Sequence, residues 1–187
     1  MDGFNNSLKT GLIGLSKIAI QTGTHHGGVV LPDGSLDVSK IDFKILKSLS
    51  QLARDYHMGG AVQHGTSTLP DENFSQIPKN EAIEAHLSTD FQNIIMDHPK
   101  FPKELIEKMY KWIDDTMKNE RSRYQTDAQF HYKLRKKAWG QFKKECWSLP
   151  DDVKQPILNS LEKRFTFMFE KLNVNNTEAM IEKFIKK

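Results

Sequence analysis

Three short apolar segments, each followed by a polar loop, limit the folds that this sequence of 187 residues can adopt. The predicted strands span residues 17–22 (KIAIQT), 61–63 (AVQ) and 82–87 (AIEAHL). Residues 41–57 place apolar side chains at helical spacing between the first two strands, and residues 89–97 continue from the third as another helix. Strands and helices that alternate in this way are typical of parallel βα units. We therefore predict an α/β fold.

Glycine content and charge divide the chain near residue 98. Ten of the 11 glycines precede residue 66, and only Gly140 follows. Residues 1–97 carry 7 basic and 11 acidic side chains (net −4), whereas residues 98–187 carry 20 basic and 13 acidic ones (net +7). The second part shows helical spacing throughout, and we predict helices at about 102–118, at 128–147, from 151 onward and from 177 onward. The sequence thus predicts an α/β part, residues 1–97, and a helical extension, residues 98–187.

The composition excludes several classes of protein. With 37% hydrophobic and 27% charged residues, the chain is too apolar to be disordered and too polar to be a membrane protein. Residues 11–20 are apolar but include Lys17, are too short to cross a bilayer, and lack the features of a secretory signal. A single cysteine, Cys146, excludes an internal disulfide framework and a thiolate-rich zinc cluster. We therefore expect a cytoplasmic protein.

Side chains able to carry chemistry follow each predicted strand. The three loops are residues 23–28 (GTHHGG), 64–67 (HGTS) and 86–90 (HLSTD). In parallel α/β folds, the loops at the carboxyl ends of the strands form the site. Imidazoles are zinc ligands, and glycines beside hydroxyl groups let backbone amides approach a phosphate. Residue types and spacing alone leave two interpretations open: a shared metal and phosphate site, or histidines and glycines that only end strands and make turns.

These segments resemble three consecutive motifs of the class II, zinc-dependent ketose-bisphosphate aldolases. Residues 18–28 (IAIQTGTHHGG) resemble a late strand of that family, which ends in G-T-S-H-G. Residues 59–70 (GGAVQHGTSTLP) resemble the following strand with H-G-G-S-G, and residues 84–93 (EAHLSTDFQN) resemble the last strand, K-I-N-I-D-T-D. Residues 33–49 lie between the first two as the L-D-F-x-x-L segment of the family does, so the resemblance covers about residues 17–93. It implies a partial TIM (β/α)8 barrel, its last three strands, followed by an α-helical C-terminal extension.

Matched residue by residue, the resemblance implies a zinc site and a phosphate site. The zinc ligands would be His26 and His64, and the cofactor Zn²⁺. His25 is the less expected ligand, because adjacent residues of a strand point to opposite faces. The residues implied to contact phosphate are Gly27, Gly65, Ser67 and Thr89.

The sequence departs from the family pattern at three positions. His86 stands where the family has the asparagine that contacts the substrate, and Ser88 stands where it has the first aspartate of the last block. Thr66 replaces the second glycine after the zinc histidine, whereas Asp90 is retained. We keep His86 and Ser88 as substrate-binding candidates, and the departures affect the identity of the substrate more than that of the metal.

The resemblance implies a lyase of carbohydrate metabolism that cleaves a ketose 1,6-bisphosphate by a retro-aldol reaction and releases dihydroxyacetone phosphate. The family takes its third zinc histidine and its acid/base aspartate from earlier strands, so no catalytic residue is assigned within this chain. A complete barrel needs eight strands and about 250 residues. We therefore expect the C-terminal portion of such an aldolase, inactive alone, and completed by an N-terminal segment or in a homo-oligomer.

Two alternatives to an aldolase remain from the sequence. The chain would be a non-catalytic, aldolase-like subunit or relic if the missing residues are not supplied elsewhere. Alternatively, the basic, aromatic residues 131–147 would bind nucleic acid. The same pattern fits a helix with a solvated charged face and inward Tyr132, Leu134, Trp139 and Phe142 side chains, and no base-reading motif accompanies it. We therefore expect neither a nucleic-acid partner nor a membrane.

Overall fold

The computed structural model describes residues 2–8, 14–25, 27–37, 40–123 and 125–185. Within these ranges, no helix is long and apolar enough to cross a membrane. The first element is a short helix, α1 (Asp2–Ser7), which the sequence pattern did not indicate. It lies near the end of a later helix, because the hydroxyl of Tyr56 donates to Asp2 at 3.3 Å.

Three parallel strands form one open sheet, and this confirms the predicted α/β class. The strands are β1 (Ile18–Ile20), β2 (Ala61–Gln63) and β3 (Ala82–Ala85), and β2 lies between the other two. Ile18 of β1 pairs with Ala61, which pairs in turn with Ala82 of β3, and one irregularity follows Ala61. All of β2 is buried, whereas Ala19 of β1 and Ile83 of β3 are exposed. The outer strands are shorter than predicted. After β1 the Thr22 side chain bonds to that of Gln63, and after β3 the His86 carbonyl accepts from the Thr66 hydroxyl of the next loop.

Helix α2 (Phe43–Asp55) packs behind β1 and β2, as the spacing of its apolar residues predicted. The carboxylate of Asp42 caps its first turn by accepting from the backbone N–H groups of Lys44 and Ile45 at 2.9 and 3.0 Å. Ser50 lies on its buried face, accepts from the N–H of Ala61 at 3.0 Å and donates to the carbonyl of Glu81 at 2.6 Å. This one hydroxyl therefore connects α2 to the starts of two strands.

Beyond the predicted loop at residues 64–67, the segment between β2 and β3 is mostly helical. A 3-10 turn (Thr66–Thr68) is followed by α3 (Asp71–Phe74) and α4 (Gln76–Lys79). These short helices form because they bury Phe74 and Ile77, which are 0% and 2% exposed, in an otherwise polar stretch. After β3, helix α5 (Thr89–Met96) begins at the predicted position.

The C-terminal half of the described chain is helical, as predicted. One predicted helix, residues 128–147, is instead two helices that are separated at Phe142, whose φ and ψ are −105° and 22°. Gly140 weakens the last turn before this break, and the Phe142 ring packs edge-on against Trp112, with ring centroids 6.3 Å apart. The helices are α6 (Lys103–Thr116), α7 (Asp127–Gln141), α8 (Lys143–Trp147), α9 (Asp151–Lys171) and α10 (Glu178–Phe184).

Two apolar clusters join these helices to the sheet. The larger cluster runs from Met96 of α5 through α6 and α7 to Ile157 of α9. The smaller cluster packs Met168 of α9 against Phe74 and Ile77, on the outer side of β3. Because both clusters include residues from each side of position 98, the helical extension is packed onto the α/β part.

Candidate functional site

The loops that follow the three strands enclose a cleft of about 430 Å³. It lies at the carboxyl ends of the strands, where parallel α/β folds place their sites. Every candidate site residue that the structure describes lines this cleft, and these residues are Gly27, His64, Gly65, Ser67, His86, Ser88 and Thr89. The remaining candidate, His26, lies outside the described residues.

Gly65 gives the loop after β2 its shape. Its φ of +66° is in the left-handed region, and a Cβ there would lie 2.9 Å from the Thr24 side chain and 3.1 Å from the carbonyl oxygen of His25. Thr24 also donates to the carbonyl of His64 at 2.7 Å. Glycine is therefore required because the chain after β1 packs directly against this backbone.

A buried glutamine joins the ends of β1 and β2. Gln63 is 0% exposed, and its side-chain oxygen accepts from the hydroxyl of Thr22 at 2.9 Å. Its amide nitrogen donates to Thr24 Oγ1 at 3.0 Å and to the carbonyl of His64 at 2.6 Å. Gln63 was not predicted from the sequence, although a lone polar side chain at the end of a buried strand signals such a partner network. Gln63 fixes the backbone that carries His64.

Two hydroxyl groups join the loop after β2 to the loop after β3. Thr66 Oγ1 donates to the carbonyl of His86 at 2.6 Å, and Ser67 Oγ accepts from the N–H of Ser88 at 2.7 Å. Because Ser67 Oγ is the acceptor in that bond, its own proton is free to be donated toward the cleft. Thr66, which stands where the family pattern has a glycine, thus has a hydrogen-bond partner of its own.

Two imidazoles lie side by side in the cleft. The ring centroids of His64 and His86 are 4.2 Å apart, and their planes are inclined by 53°. His86 Nε2 also contacts the carboxylate of Glu84, which in turn contacts the ammonium of Lys17. Lys17 and His86 together hold the pKa of Glu84 below its usual range. Glu84 was missed in the sequence, although residues two apart in a strand lie on the same face.

A second cleft of about 450 Å³ opens beside the first and shares Gly27 and Thr89 with it. Helix α7 forms one of its walls. Arg135 of that wall is buried and engaged, since its two terminal nitrogens donate to both carboxylate oxygens of Asp97 at 2.6 and 2.8 Å. The exposed ammonium groups of Lys133 and Lys136 make no ion pair with the described residues. The cleft therefore combines a fixed polar wall with two cations available to a ligand.

The family model of class-II fructose-bisphosphate aldolase matches residues 8–137, more than half of the chain. The chain belongs to this family. A search of curated proteins finds no match. The family match extends beyond the motifs of residues 17–93 and continues through α6 and most of α7, so this aldolase family member shares more than its strand ends with its relatives.

Metal dependence is typical of class II aldolases, and the described part of this family member supplies an incomplete ligand set. Among the described residues, no group of three or more histidine, cysteine, aspartate or glutamate side chains is placed to hold a metal ion. His64 lies in the cleft, but its expected partner His26 is outside the described residues. The described residues alone therefore do not form a zinc site.

Proposed function

We propose that this chain forms part of a metal-dependent aldolase that cleaves a ketose 1,6-bisphosphate and releases dihydroxyacetone phosphate in the cytosol. One observation carries the proposal. In a member of the class II aldolase family, the seven described residues that stand at the family's ligand, phosphate and substrate positions, five of them matching its pattern, line one cleft at the carboxyl ends of parallel strands. The parallel topology alone brings the three loops to one edge, and the proposal is supported by the residue types that meet there.

The phosphate of the substrate would bind between the loops after β1, β2 and β3. Ser67 and Thr89 offer hydroxyl donors, and Gly27 and Gly65 offer backbone that a ligand can approach closely. The left-handed φ angles of both glycines, +82° and +66°, turn the chain sharply at this wall of the cleft. Binding of a phosphate far from the reacting carbons would fix their orientation.

The second cleft supports a substrate with an anionic group at each end. It shares Gly27 and Thr89 with the first, and its ammonium groups on Lys133 and Lys136 have no carboxylate partner among the described residues. A ligand that spans both clefts would carry one anionic group to the hydroxyls and another to these lysines. This arrangement favours a bisphosphate over a monophosphate.

In this proposal zinc would be held by His26 and His64 together with a ligand supplied from outside the described residues. When bound, zinc would act as a Lewis acid toward the substrate ketone. Glu84 would keep the His86 imidazole oriented in the cleft through their contact. The three strands would be the last three of a (β/α)8 barrel, since β1 and β3 each pair only with β2 among the described residues and leave both edges of the sheet open.

A specific observation also favours a second candidate, a non-catalytic aldolase-like subunit. His86 and Ser88 replace residues that the family pattern implies in substrate binding, and His86 is engaged with Glu84. Such a subunit would keep the phosphate cleft and lack cleavage activity.

Binding of dihydroxyacetone phosphate to the full chain, measured by calorimetry, tests the phosphate part of the proposal. We expect binding that Ser67→Ala weakens about tenfold, which corresponds to the loss of one charge-assisted hydrogen bond. Ser48→Ala, on the exposed surface of α2, is the matched control and should bind as the unaltered chain does. Absence of binding by the unaltered chain would overturn the proposal.

Cleavage distinguishes the two candidate functions. A coupled assay for triose phosphate release would be run on the full chain with zinc, alone and together with the preceding strands of a class II aldolase. The aldolase proposal expects zinc uptake and cleavage only in the completed protein. A completed protein that binds both zinc and dihydroxyacetone phosphate, yet cleaves no ketose bisphosphate, would favour the non-catalytic subunit.

A further inference from the structure

Three side chains of α7 and its cap each donate a hydrogen bond to a backbone carbonyl of the loop after β1. Thr126 Oγ1 donates to the carbonyl of Pro32 at 2.9 Å, and Gln129 Nε2 donates to that of Val30 at 2.8 Å. The hydroxyl of Tyr132 donates to the carbonyl of Gly27 at 3.2 Å. Donors three residues apart lie on neighbouring positions of a helix surface, so the N-cap and first two turns of α7 contact the loop.

Backbone N–H groups of the loop bond within the loop, whereas the carbonyls of Gly27, Val30 and Pro32 accept from α7 and its cap. It forms a small hairpin in which Leu31 N–H donates to the carbonyl of Ser35 and Asp37 N–H to that of Val29, both at 2.8 Å. At its turn, a Cβ on Gly34 would lie only 3.1 Å from the Cβ of Ala128 in the first turn of α7. The hairpin and the helix are therefore in direct contact.

Helix α7 is in turn fixed to α5, the helix that follows β3. The Tyr132 hydroxyl accepts from Asn93 Nδ2 at 2.8 Å, and Arg135 forms its bidentate pair with Asp97. Burial raises the pKa of Tyr132, so its hydroxyl keeps the proton that it donates to Gly27. The loop after β1 is thereby held at a fixed position relative to the loop after β3.

We propose that Thr126, Gln129 and Tyr132 form a clamp that positions the loop at 27–37 against the candidate cleft. Gly27 lies at one end of the clamp and lines both clefts, so its placement opposite Thr89 depends on α7. The three residues act as positioning residues, because they hold backbone that would contact the ligand. The inference rests on the proposed function only for the identity of that ligand, a phosphorylated ketose.

Gln129→Glu tests the clamp with little disturbance of α7. The Gln129 side-chain oxygen accepts from the N–H of Thr126 at 3.1 Å in a capping box, and a carboxylate retains that bond while it removes the donor to Val30. A negative charge in the first turn of a helix is also favourable. Gln141→Glu, at the exposed C-terminal end of the same helix, is the matched control. Tyr132→Phe removes the contact to Gly27 without removing the ring.

Amide hydrogen exchange in the full chain gives the decisive measurement. We expect exchange in the segment 27–37 to become about tenfold faster in Gln129→Glu and in Tyr132→Phe, the effect of one lost hydrogen bond, while α9 exchanges as before. The Gln141→Glu control should exchange as the unaltered chain does. Unchanged exchange in the loop would overturn the clamp, and so would faster exchange in α9, since that indicates general destabilisation.

Binding of inorganic phosphate, followed by calorimetry on the same variants, tests the coupling to the cleft. We expect several-fold weaker binding in both clamp variants and none of this weakening in the control. Faster loop exchange with unchanged phosphate affinity would overturn the positioning role. If the unaltered chain binds no phosphate, the proposed function fails, and the exchange measurement alone decides whether the clamp exists.

Discussion

Arg164 of α9 holds Asp90 in the first turn of α5, with its Nε 2.5 Å from the Oδ2 atom of the carboxylate. The same guanidinium donates to Asp71 Oδ1 at 2.7 Å and lies over the rings of Phe74 and Phe167, 5.2 and 4.9 Å from their centroids. One side chain from the C-terminal half thus fastens the helix that begins at the candidate cleft. Asp90, the aspartate retained from the family pattern, is engaged in packing this helix.

Replacement of Arg164 should therefore destabilise the fold. We expect Arg164→Met to lower the free energy of unfolding by about 2 kcal/mol, because it leaves the half-buried Asp90 without its cation. Arg164→Lys should recover only part of this, since an ammonium does not form the same two-sided contact. Urea unfolding measures both effects. The neighbouring Lys163→Met, on the exposed face of α9, is the control, and an equal loss there would contradict the assignment.

The substitution of Gly65 by alanine should be costly, and that of Gly140 should not. At Gly65 the φ is +66° and the new Cβ would lie 2.9 Å from Thr24, so we expect a loss of about 2 kcal/mol. At Gly140 a Cβ would meet no described atom within 4 Å apart from its chain neighbours and the backbone of its own helix, and alanine should stabilise the helix by about 0.5 kcal/mol. Thermal unfolding should show a lower midpoint for Gly65→Ala and a higher one for Gly140→Ala than for the unaltered chain. A stable Gly65→Ala variant would show that the loop adopts another conformation.

Stability should fall in acid partly through Glu84. Its pKa is lowered in the folded chain by Lys17 and His86, so the ionised form contributes stability above the pKa of the unfolded chain. That contribution is lost as the pH falls through the lowered, folded value. Urea midpoints measured from about pH 6 to about pH 3 should decline less steeply for Glu84→Gln than for the unaltered chain. Equal declines of the urea midpoint with pH in the two proteins would contradict the lowered pKa of Glu84.

Zinc binding should distinguish the expected ligand His26 from the adjacent His25. We expect the chain alone to bind zinc weakly, because two imidazoles supply fewer than the three protein ligands of a catalytic site. His26→Ala and His64→Ala should each abolish the binding, and His25→Ala, one residue away, should leave it unchanged. Calorimetry with zinc checks this. Loss of binding only in His25→Ala would reassign the ligand.

The open sheet should cause association of the isolated chain. Both outer strands have an unpaired edge within the described residues, and Ile83 on β3 is 48% exposed. We expect oligomers or aggregates whose size grows with concentration in sedimentation velocity. A monomer with a sharp, cooperative thermal transition would contradict the proposal that further strands complete this sheet.

The strands and the convergence of the site loops could be predicted from local sequence. Short apolar segments such as 61–63 end at loops rich in glycine, histidine and serine, and parallel strands bring their carboxyl ends to one edge. The proximity of His64, Ser67 and His86 follows from that rule, whereas their roles stay predictions.

Contacts between distant residues could not be predicted in this way. Thr126, Gln129 and Tyr132 lie 94, 99 and 105 residues from the loop carbonyls that they bind. In the sequence these residues belong to a basic segment whose charges suggest a solvated helix face. Helical spacing shows which residues share a face but not what a polar face contacts. The break at Phe142 was missed for a similar reason, because its ring packs on Trp112 of another helix.

The buried amide of Gln63 also couples the two strand ends that form one wall of the cleft. It bonds to Thr22 and Thr24 on one side and to the His64 carbonyl on the other, and so joins the ends of the two strands. A shift of the His64 carbonyl would break its hydrogen bonds with Thr24 and Gln63, so the histidine on this side of the cleft is coupled to the chain after β1.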